Sequence, residues 1–111
     1  MEFDELTVAL LVGGKTPNTD ELQDAHLAHL ASLHDTGSLL AAGPLRDPAG
    51  ELRGLSLLNI GVNEARELKE ADRAVREGVF DLRIMRWQIP AGAISFAHTF
   101  FPHSMKDVLG R

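Results

Sequence analysis

Four stretches of the chain have the apolar patterns of β-strands. In residues 7–12 (TVALLV) and 80–89 (FDLRIMRWQI), apolar side chains fall on both faces, as in strands that are covered on two sides. Shorter runs at residues 38–42 and 52–60 flank RDPAG, residues 46–50, which has the composition of a turn. Two strands joined by such a turn predict an antiparallel hairpin.

A fifth stretch, residues 20–36, has apolar residues every three or four positions, which predicts a helix. Asn18 or Thr19 serves as its N-cap, and Gly37 supplies the left-handed residue that ends it. Histidines interrupt the apolar side of this helix, which consists of Leu22, His26, His29, Leu30 and Leu33.

A second helix is predicted from Asn63, a good N-cap, to Gly78. Its apolar stripe contains Ala65, Leu68 and Val75. Asp72 lies four residues after Leu68 and three before Val75, so it falls on the same stripe.

The order strand, helix, strand, strand, helix, strand predicts an α+β fold of the ferredoxin-like βαββαβ type. Residues 1–90 form this domain, with a four-stranded antiparallel sheet and two helices on one face. Apolar residues on the other face would form an exposed patch of the kind that marks an interface. A second copy that applies the same face is the symmetric way to bury it, so we expect a homodimer through the sheet face.

Residues 91–111 form a C-terminal extension that does not have the composition of a disordered tail. The extension contains Phe96, Phe100, Phe101, His98 and His103, followed by the short amphipathic sequence SMKDVLG. We expect it to pack on its own domain or across the dimer.

Composition narrows the classes of partner. The 111 residues carry a net charge of −5 without any Lys/Arg cluster, so neither nucleic acid nor an acidic membrane surface is expected to bind. No apolar run approaches the ~20 residues that cross a bilayer. The first residues place acids ahead of the apolar run, unlike a secretory signal, so a cytoplasmic location is expected. The lack of cysteine excludes disulfides and thiolate chemistry, and a small molecule or another subunit remains as the partner.

His26 and Asp72 are the candidate catalytic pair. Both fall on apolar stripes of helices that cover the same sheet face, so their side chains can meet. A carboxylate beside an imidazole fixes its tautomer and raises its pKa, which makes it a better base. The alternatives are a structural hydrogen bond between the two, or a role of Asp72 in capping the following turn.

Other residues carry weaker signals. His26 and His29 form an HxxH pair without an intervening glutamate or an evident third ligand, so no metal site is expected. His34, in the last helical turn, is expected to interact with the helix dipole.

Four further positions are candidates for substrate binding. Arg83 and Arg86 could bind a carboxylate in a bidentate manner or form interface salt bridges. Gly43 and Pro44 either let the backbone approach a ligand or end the second strand. Trp87 is expected in the core or the dimer interface, or as the wall of an aromatic site.

The run HLAHLASLHDTGSLLAAGPLRDPAGELRGLSLL, followed by EARELKEADRAVREGVFDLRIMRWQIP, resembles the YCII-related proteins. The resemblance spans residues 6–90 and implies a ferredoxin-like domain that pairs into a dimeric α+β barrel. It also implies an active-site histidine and aspartate. His26 matches the histidine by its distance from Gly37 and from Gly43-Pro44. Asp72 matches the aspartate, although the family usually has Asp-Pro where this chain has Asp72-Arg73, which lets the helix continue.

Asp47, in the turn, is the second candidate for the carboxylate. Family members with an assigned role resemble lyases that act on small aromatic rings. The resemblance therefore implies a cofactor-independent acid–base enzyme, of lyase or isomerase type, on a small aromatic or enolic substrate. His26 would remove a proton, Asp72 would stabilise the imidazolium, and Arg83 or Arg86 would take the substrate anion.

The alternative is a non-catalytic dimeric module that binds a small ligand or a protein partner, which the phenylalanine-rich extension favours. A cavity that reaches His26 would support the enzyme, and a solidly packed interior would support the module.

Overall fold

A computed structural model describes residues 1–110, so Arg111, the last residue of the predicted extension, lies outside the described residues. The chain forms β1 (Phe3–Gly13), α1 (Asp20–Asp35), β2 (Leu39–Pro44), β3 (Leu52–Leu58), α2 (Val62–Glu70), α3 (Arg73–Arg76), β4 (Phe80–Pro90) and α4 (Met105–Val108). The four strands form one antiparallel sheet in the order β2-β3-β1-β4. This order confirms the ferredoxin-like prediction.

The first helix begins and ends as its sequence predicts. Thr19 has extended backbone angles, and its hydroxyl accepts a hydrogen bond of 3.1 Å from the backbone N–H of Leu22. After the last turn, Gly37 adopts a positive φ of 89°, which only glycine takes at little cost. These two ends fix the register of α1 and thereby place His26 and His34 on its buried side.

The second predicted helix is wrong in two respects. Its N-cap is Gly61 rather than Asn63, and no side chain caps it. The helix also does not continue to Gly78, because α2 ends at Glu70 and Asp72 has extended backbone angles. The Asp72 carboxylate accepts from the backbone N–H of Ala74 and begins the short α3. A carboxylate that competes for backbone donors in this way breaks a helix even without the family's proline.

The helices cover one face of the sheet, where Ala9 of β1 packs against Leu30 and Leu33 of α1 and Ala65 of α2. A smaller cluster joins Leu22 to Ala74 and Val79 and anchors α3 against α1. The break at Asp72 changes the helical register, which buries Ala74 in place of the predicted Val75.

The other face of the sheet is bare in the single chain. Strand pairing brings Val8 opposite both Leu57 and Met85, and it brings Leu6 opposite Trp87. Met85 and Trp87 are 44% and 40% exposed, which is high for residues of this size in a strand. Apolar side chains therefore extend across this face.

The C-terminal extension folds back over α1. The buried His34 ring stacks with two rings of the extension. Its centroid lies 4.4 Å from that of His98 and 4.0 Å from that of Phe101. At α4, the backbone N–H of Met105 donates to Asp24 over 2.7 Å. Phe101 packs against the main core cluster, so the extension adds to the hydrophobic core of the chain that carries it. Among residues 1–110, no helix is both long enough and apolar enough to span a bilayer.

Candidate active site

The structure brings His26 and Asp72 together. His26 lies near the middle of α1 and Asp72 at the junction of α2 and α3, forty-six positions apart, and the Nδ1–H of His26 donates to Asp72 Oδ2 over 2.5 Å. Asp72 is 0% exposed and His26 is 6% exposed. A buried ionisable pair at this distance forms a charge-assisted hydrogen bond.

Asp72 uses its two oxygens for two purposes. Oδ2 receives the imidazole N–H, and Oδ1 accepts the backbone N–H of Ala74 over 2.9 Å as the cap of α3. Burial acts to raise the pKa of Asp72, but the hydrogen bond and positive charge of His26, with the Ala74 N–H, outweigh it and lower the pKa. The carboxylate is therefore ionised, and the capping bond holds it in the orientation that the imidazole needs.

The second ring nitrogen of His26 is left open. Within residues 1–110, Nε2 makes no hydrogen bond, and no buried side-chain nitrogen or oxygen in that range lacks a partner, so Nε2 is accessible to solvent. Because Nδ1 carries the proton donated to Asp72, Nε2 has a free lone pair in the neutral ring. The ring of Phe80 lies beside the imidazole at 5.3 Å, tilted by 52°.

His26 lines a cavity of about 510 Å³ between α1, the β2–β3 end of the sheet and the C-terminal extension. Gly43 and Pro44, both predicted for substrate binding, lie on its wall. Most of the lining is apolar: Leu11, Leu27, Leu30, Ala42, Leu55, Phe80, Phe101, Pro102, Met105 and Val108. The polar exceptions are Gln23, His26, Arg53 and Ser56. A mostly apolar pocket with a few polar groups is typical of small-molecule sites.

The structure does not bring Arg83 or Arg86 to this cavity. Arg86 contacts the Thr7 hydroxyl over 2.8 Å and the Glu5 carboxylate over 2.9 Å. Arg83 pairs with Leu10 on the bare face of the sheet, where its guanidinium lies 3.4 Å from Glu51. The arginine that does line the cavity is Arg53.

Asp47 does not pair with His26 either. Its carboxylate accepts backbone N–H groups of Ala49, Glu51 and Leu52 within its own turn, and these bonds lower its pKa. The second candidate for the carboxylate is therefore wrong, because the turn's own amides satisfy Asp47.

His29 makes a hydrogen bond to the backbone of α2. Its Nε2–H donates to the Leu68 carbonyl over 2.8 Å, and burial lowers its pKa, so the ring is neutral. Nowhere in residues 1–110 do three His, Asp or Glu side chains come together as candidate metal ligands.

Two residues that sequence reasoning missed lie beside the pair. Lys69 of α2 is 0% exposed and donates to the hydroxyl of Ser56, on the cavity wall, over 3.0 Å. Lys69 lies four residues after Ala65 and three before Asp72, so helical spacing already placed it on the buried side.

Comparison with known proteins gives one family and a shared fold. No functionally curated protein matches the chain in sequence. A solved structure of 5-chloro-2-hydroxyhydroquinone dehydrochlorinase from Burkholderia phenoliruptrix AC1100, in complex with 2,5-dihydroxybenzoquinone, superimposes with a TM-score of 0.54. It is 19% identical, and the match covers 74% of this chain and 92% of that one, which shows a common fold. Residues 6–88 match the family model of the YCII-related domain, and the chain therefore belongs to the YCII-related family.

Proposed function

We propose that this protein is a cofactor-independent acid–base enzyme, of lyase or isomerase type, in which His26 is the proton acceptor. The observation that carries the proposal is the asymmetry of the His26 ring. One nitrogen is held by a buried carboxylate at 2.5 Å, and the other is unbonded and accessible to solvent, in a residue that lines the cavity. This is the arrangement of a general base whose partner fixes the tautomer and stabilises the imidazolium.

The chemical step follows from that geometry. The lone pair of His26 Nε2 takes a proton from a hydroxyl or from an acidic carbon of the substrate. The electron pair of the broken bond moves into the substrate, where it expels a leaving group as an anion or forms an enolate. In the second case the imidazolium returns the proton to another atom. Asp72 stays ionised throughout and offsets the positive charge of the imidazolium.

The cavity indicates the class of substrate. A largely apolar wall with Phe80 beside the imidazole suits a flat, small ring. The dehydrochlorinase with the same fold acts on a chlorinated hydroxyhydroquinone and binds a dihydroxybenzoquinone, which supports a hydroxylated aromatic or enolic substrate here. Arg53, at the exposed rim, is the cation placed to meet a further anionic group, in the role first predicted for Arg83 or Arg86.

The test uses a panel of hydroquinones with and without ring chlorine. Chloride release and exchange of ring protons in deuterated water, followed by NMR, report elimination and reversible deprotonation separately. His26→Gln should lower either rate by roughly 10²–10⁴-fold, the usual contribution of a general base. His103→Gln, at an exposed histidine of the extension, is the matched control and should keep the wild-type rate.

Equal rates in the His26→Gln and His103→Gln proteins, with both folded, would remove His26 from the reaction. Binding of the hydroquinones without any exchange or release would instead favour the non-catalytic ligand-binding module. That second candidate has one observation in its favour: Phe101, Met105 and Val108 of the extension complete the cavity wall and could enclose a ligand that is held and not converted.

We also infer a homodimer through the bare sheet face. Leu10, Leu57, Met85 and Trp87 form an apolar surface on the side opposite the helices. Apolar surfaces of this kind are unusual on monomers, and a second copy of the same face buries them symmetrically. The pairing of two such sheets also accounts for the apolar residues on both faces of β1.

The dimer is tested by light scattering of the purified protein and of Trp87→Glu. The wild-type mass should be twice that of the chain, and the variant should shift to the monomer, because a carboxylate from each copy would be buried in the apolar interface. Phe100→Glu, at a phenylalanine that is 71% exposed in the extension, is the control and should remain dimeric. A monomeric wild type would contradict the inference.

A further inference from the structure

Lys69 is a buried cation without a carboxylate partner. Its side chain is completely buried, and within residues 1–110 no Asp or Glu oxygen lies within 4.0 Å of its ammonium group. Among residues 1–110, the ammonium group makes one hydrogen bond, to Ser56 Oγ at 3.0 Å. The carboxylate whose charge acts on Lys69 is Asp72, which is already bound to His26. An arrangement of this kind leaves positive potential inside the protein.

The direction of the Lys69–Ser56 bond determines what Ser56 presents to the cavity. An ammonium group has three donors and no acceptor, so Ser56 Oγ must be the acceptor in this bond. The hydroxyl hydrogen of Ser56 is then free to donate, and it makes no hydrogen bond to any other group in the described chain. Ser56 is on β3 and lines the same cavity as His26. A hydroxyl polarised by a buried cation therefore lies on the wall of a mostly apolar cavity.

We propose that Ser56 and Lys69 form an oxyanion-binding position, in which the Ser56 hydroxyl donates to an enolate or phenolate oxygen and Lys69 supplies the balancing charge. The proposal rests on the proposed function for the identity of this cavity as the substrate site. It deepens that function by stating that the bound species is an anion. Ser56 is the residue that contacts the ligand, and Lys69 is a positioning residue that acts through it.

The proposed roles of His26 and of the Ser56–Lys69 pair are complementary. Removal of a proton by His26 creates negative charge on the substrate, and a preorganised donor where that charge develops stabilises the transition state. Burial lowers the pKa of Lys69 to about 8, so the ammonium form still predominates at neutral pH. The titratable groups that act on Lys69 or are acted on by it are Asp72 and His29.

The experiment measures binding and needs no turnover. The probe is 4-nitrophenol, whose phenolate absorbs visible light and whose neutral phenol does not, so one titration gives the affinity for each form. Nitrobenzene, which has the same shape without the hydroxyl, is the matched neutral probe. The wild-type protein should prefer the phenolate to the phenol.

Ser56→Ala should weaken phenolate binding about tenfold, the effect expected from one charge-assisted hydrogen bond. Lys69→Met should abolish the preference for phenolate over phenol. Ser56→Thr keeps a hydroxyl and should restore most of the affinity. Nitrobenzene should bind all these proteins equally, which shows that the cavity is intact. Arg66→Gln, at an exposed arginine of the same helix as Lys69 that does not line the cavity, is the matched control and should retain the phenolate preference.

The proposal would be overturned by a wild type without phenolate preference, by Ser56→Ala binding phenolate like the wild type, or by an equal loss of the preference in Arg66→Gln. A parallel fall of nitrobenzene and phenolate affinity in Ser56→Ala would also overturn it, because the effect would then be one of shape. His26→Gln separates the two proposals. Intact phenolate preference with unchanged turnover in this variant defeats only the catalytic role of His26, whereas turnover without any phenolate preference in the wild type defeats only the oxyanion position.

Discussion

His26 and His34 are two buried histidines on the same helix, with 6% and 3% of their surfaces exposed. His26 has one nitrogen on a carboxylate and the other open beside a cavity. His34 has Nδ1 2.9 Å from the Leu39 carbonyl and Nε2 against Thr99, which offers its carbonyl at 3.0 Å and its N–H at 3.4 Å. Neutral or charged, the His34 ring is satisfied on both sides.

The difference shows that burial alone does not mark a functional histidine. A ring with both nitrogens bonded to the backbone has no lone pair or proton to exchange with a ligand, so it serves as an anchor for the chain. A ring with one nitrogen spare has chemical capacity left. The partner also matters, since an ionised carboxylate stabilises the imidazolium more than neutral carbonyls do.

The first prediction separates the two roles of the carboxylate that distinguishes His26. Asp72→Ala removes the cap of α3 and the bond to His26, so the free energy of unfolding should fall by about 3 kcal/mol. Asn caps helices as well as Asp does, so the side-chain oxygen in Asp72→Asn can keep the bond from the Ala74 N–H. Its NH2 group then donates to His26 Nδ1 in the other tautomer, and the charge of that bond is lost, at a cost of about 1 kcal/mol. Urea denaturation measures both, with Asp81→Asn on the exposed part of β4 as the control. Equal losses in the two variants would mean that the cap contributes nothing.

The second prediction extends the comparison to Lys69, a buried ammonium group whose hydrogen-bond partner is a hydroxyl. Because the pKa of Lys69 falls from 10.5 to about 8, the folded state disfavours its charged form. Lys69→Met should therefore be more stable than the wild type at pH 7, by about 1–3 kcal/mol.

The pH dependence gives the sign of this effect. The destabilisation by Lys69 is fully present below pH about 8 and disappears as the pH rises to 10.5, so the wild type should approach Lys69→Met over this range. Urea midpoints at pH 7 and above pH 10 measure the gap. A gap that is constant with pH would show that the ammonium carries no burial penalty. A less stable Lys69→Met at pH 7 would show that the bond to Ser56 outweighs it.

The third prediction concerns the contribution of Asp72 to stability at acidic pH. The pKa of Asp72 is lowered from 3.8, so its ionised form stabilises the fold above this value, and the contribution is lost as the pH falls through the lower folded value. The difference of about 1 kcal/mol between the wild type and Asp72→Asn should therefore shrink below pH 3.8. Thermal melts of both proteins at neutral and acidic pH measure it. A difference that persists when Asp72 is protonated would assign it to packing and not to charge.

The fold could be predicted from the sequence because its determinants are local. Thr19 and Gly37 mark the ends of the first helix by capping chemistry. The apolar side chains on both faces of β1 predict a strand that is covered on two sides. The meeting of His26 and Asp72 was also predicted from the sequence, although Asp72 lies just beyond the end of α2 and not inside a continuous helix. The two helices cover one face of the sheet, so polar groups on their buried stripes come close.

The details that failed depend on competition between groups that the sequence does not rank. The Asp72 carboxylate accepts the Ala74 N–H, which interrupts the predicted continuous helix. The Asp47 carboxylate accepts N–H groups of its own turn and does not bind the distant His26. The arginines of β4 were placed by residue type, whereas the pairing register puts Arg83 on the bare face and keeps Arg86 beside Thr7. Lys69 was missed because a lysine is normally expected in solvent.

The fourth prediction, with the smallest effect, tests His34 as an anchor. His34→Gln keeps one hydrogen bond at most and loses the stacking with His98 and Phe101, so the C-terminal extension should open about fivefold more often, for a cost of about 1 kcal/mol. Hydrogen exchange and limited proteolysis after Phe100 measure this opening.

His98→Gln is the matched control for this variant, because it removes one stacked ring and leaves both bonds of His34 in place. It should open less than His34→Gln. Since Phe101 and Met105 belong to the cavity wall, a more open extension should also speed the release of a bound nitrophenolate without changing its preference for the anion. Loss of that preference in His34→Gln would contradict the division of roles, because His34 would then act on the ligand as His26 does.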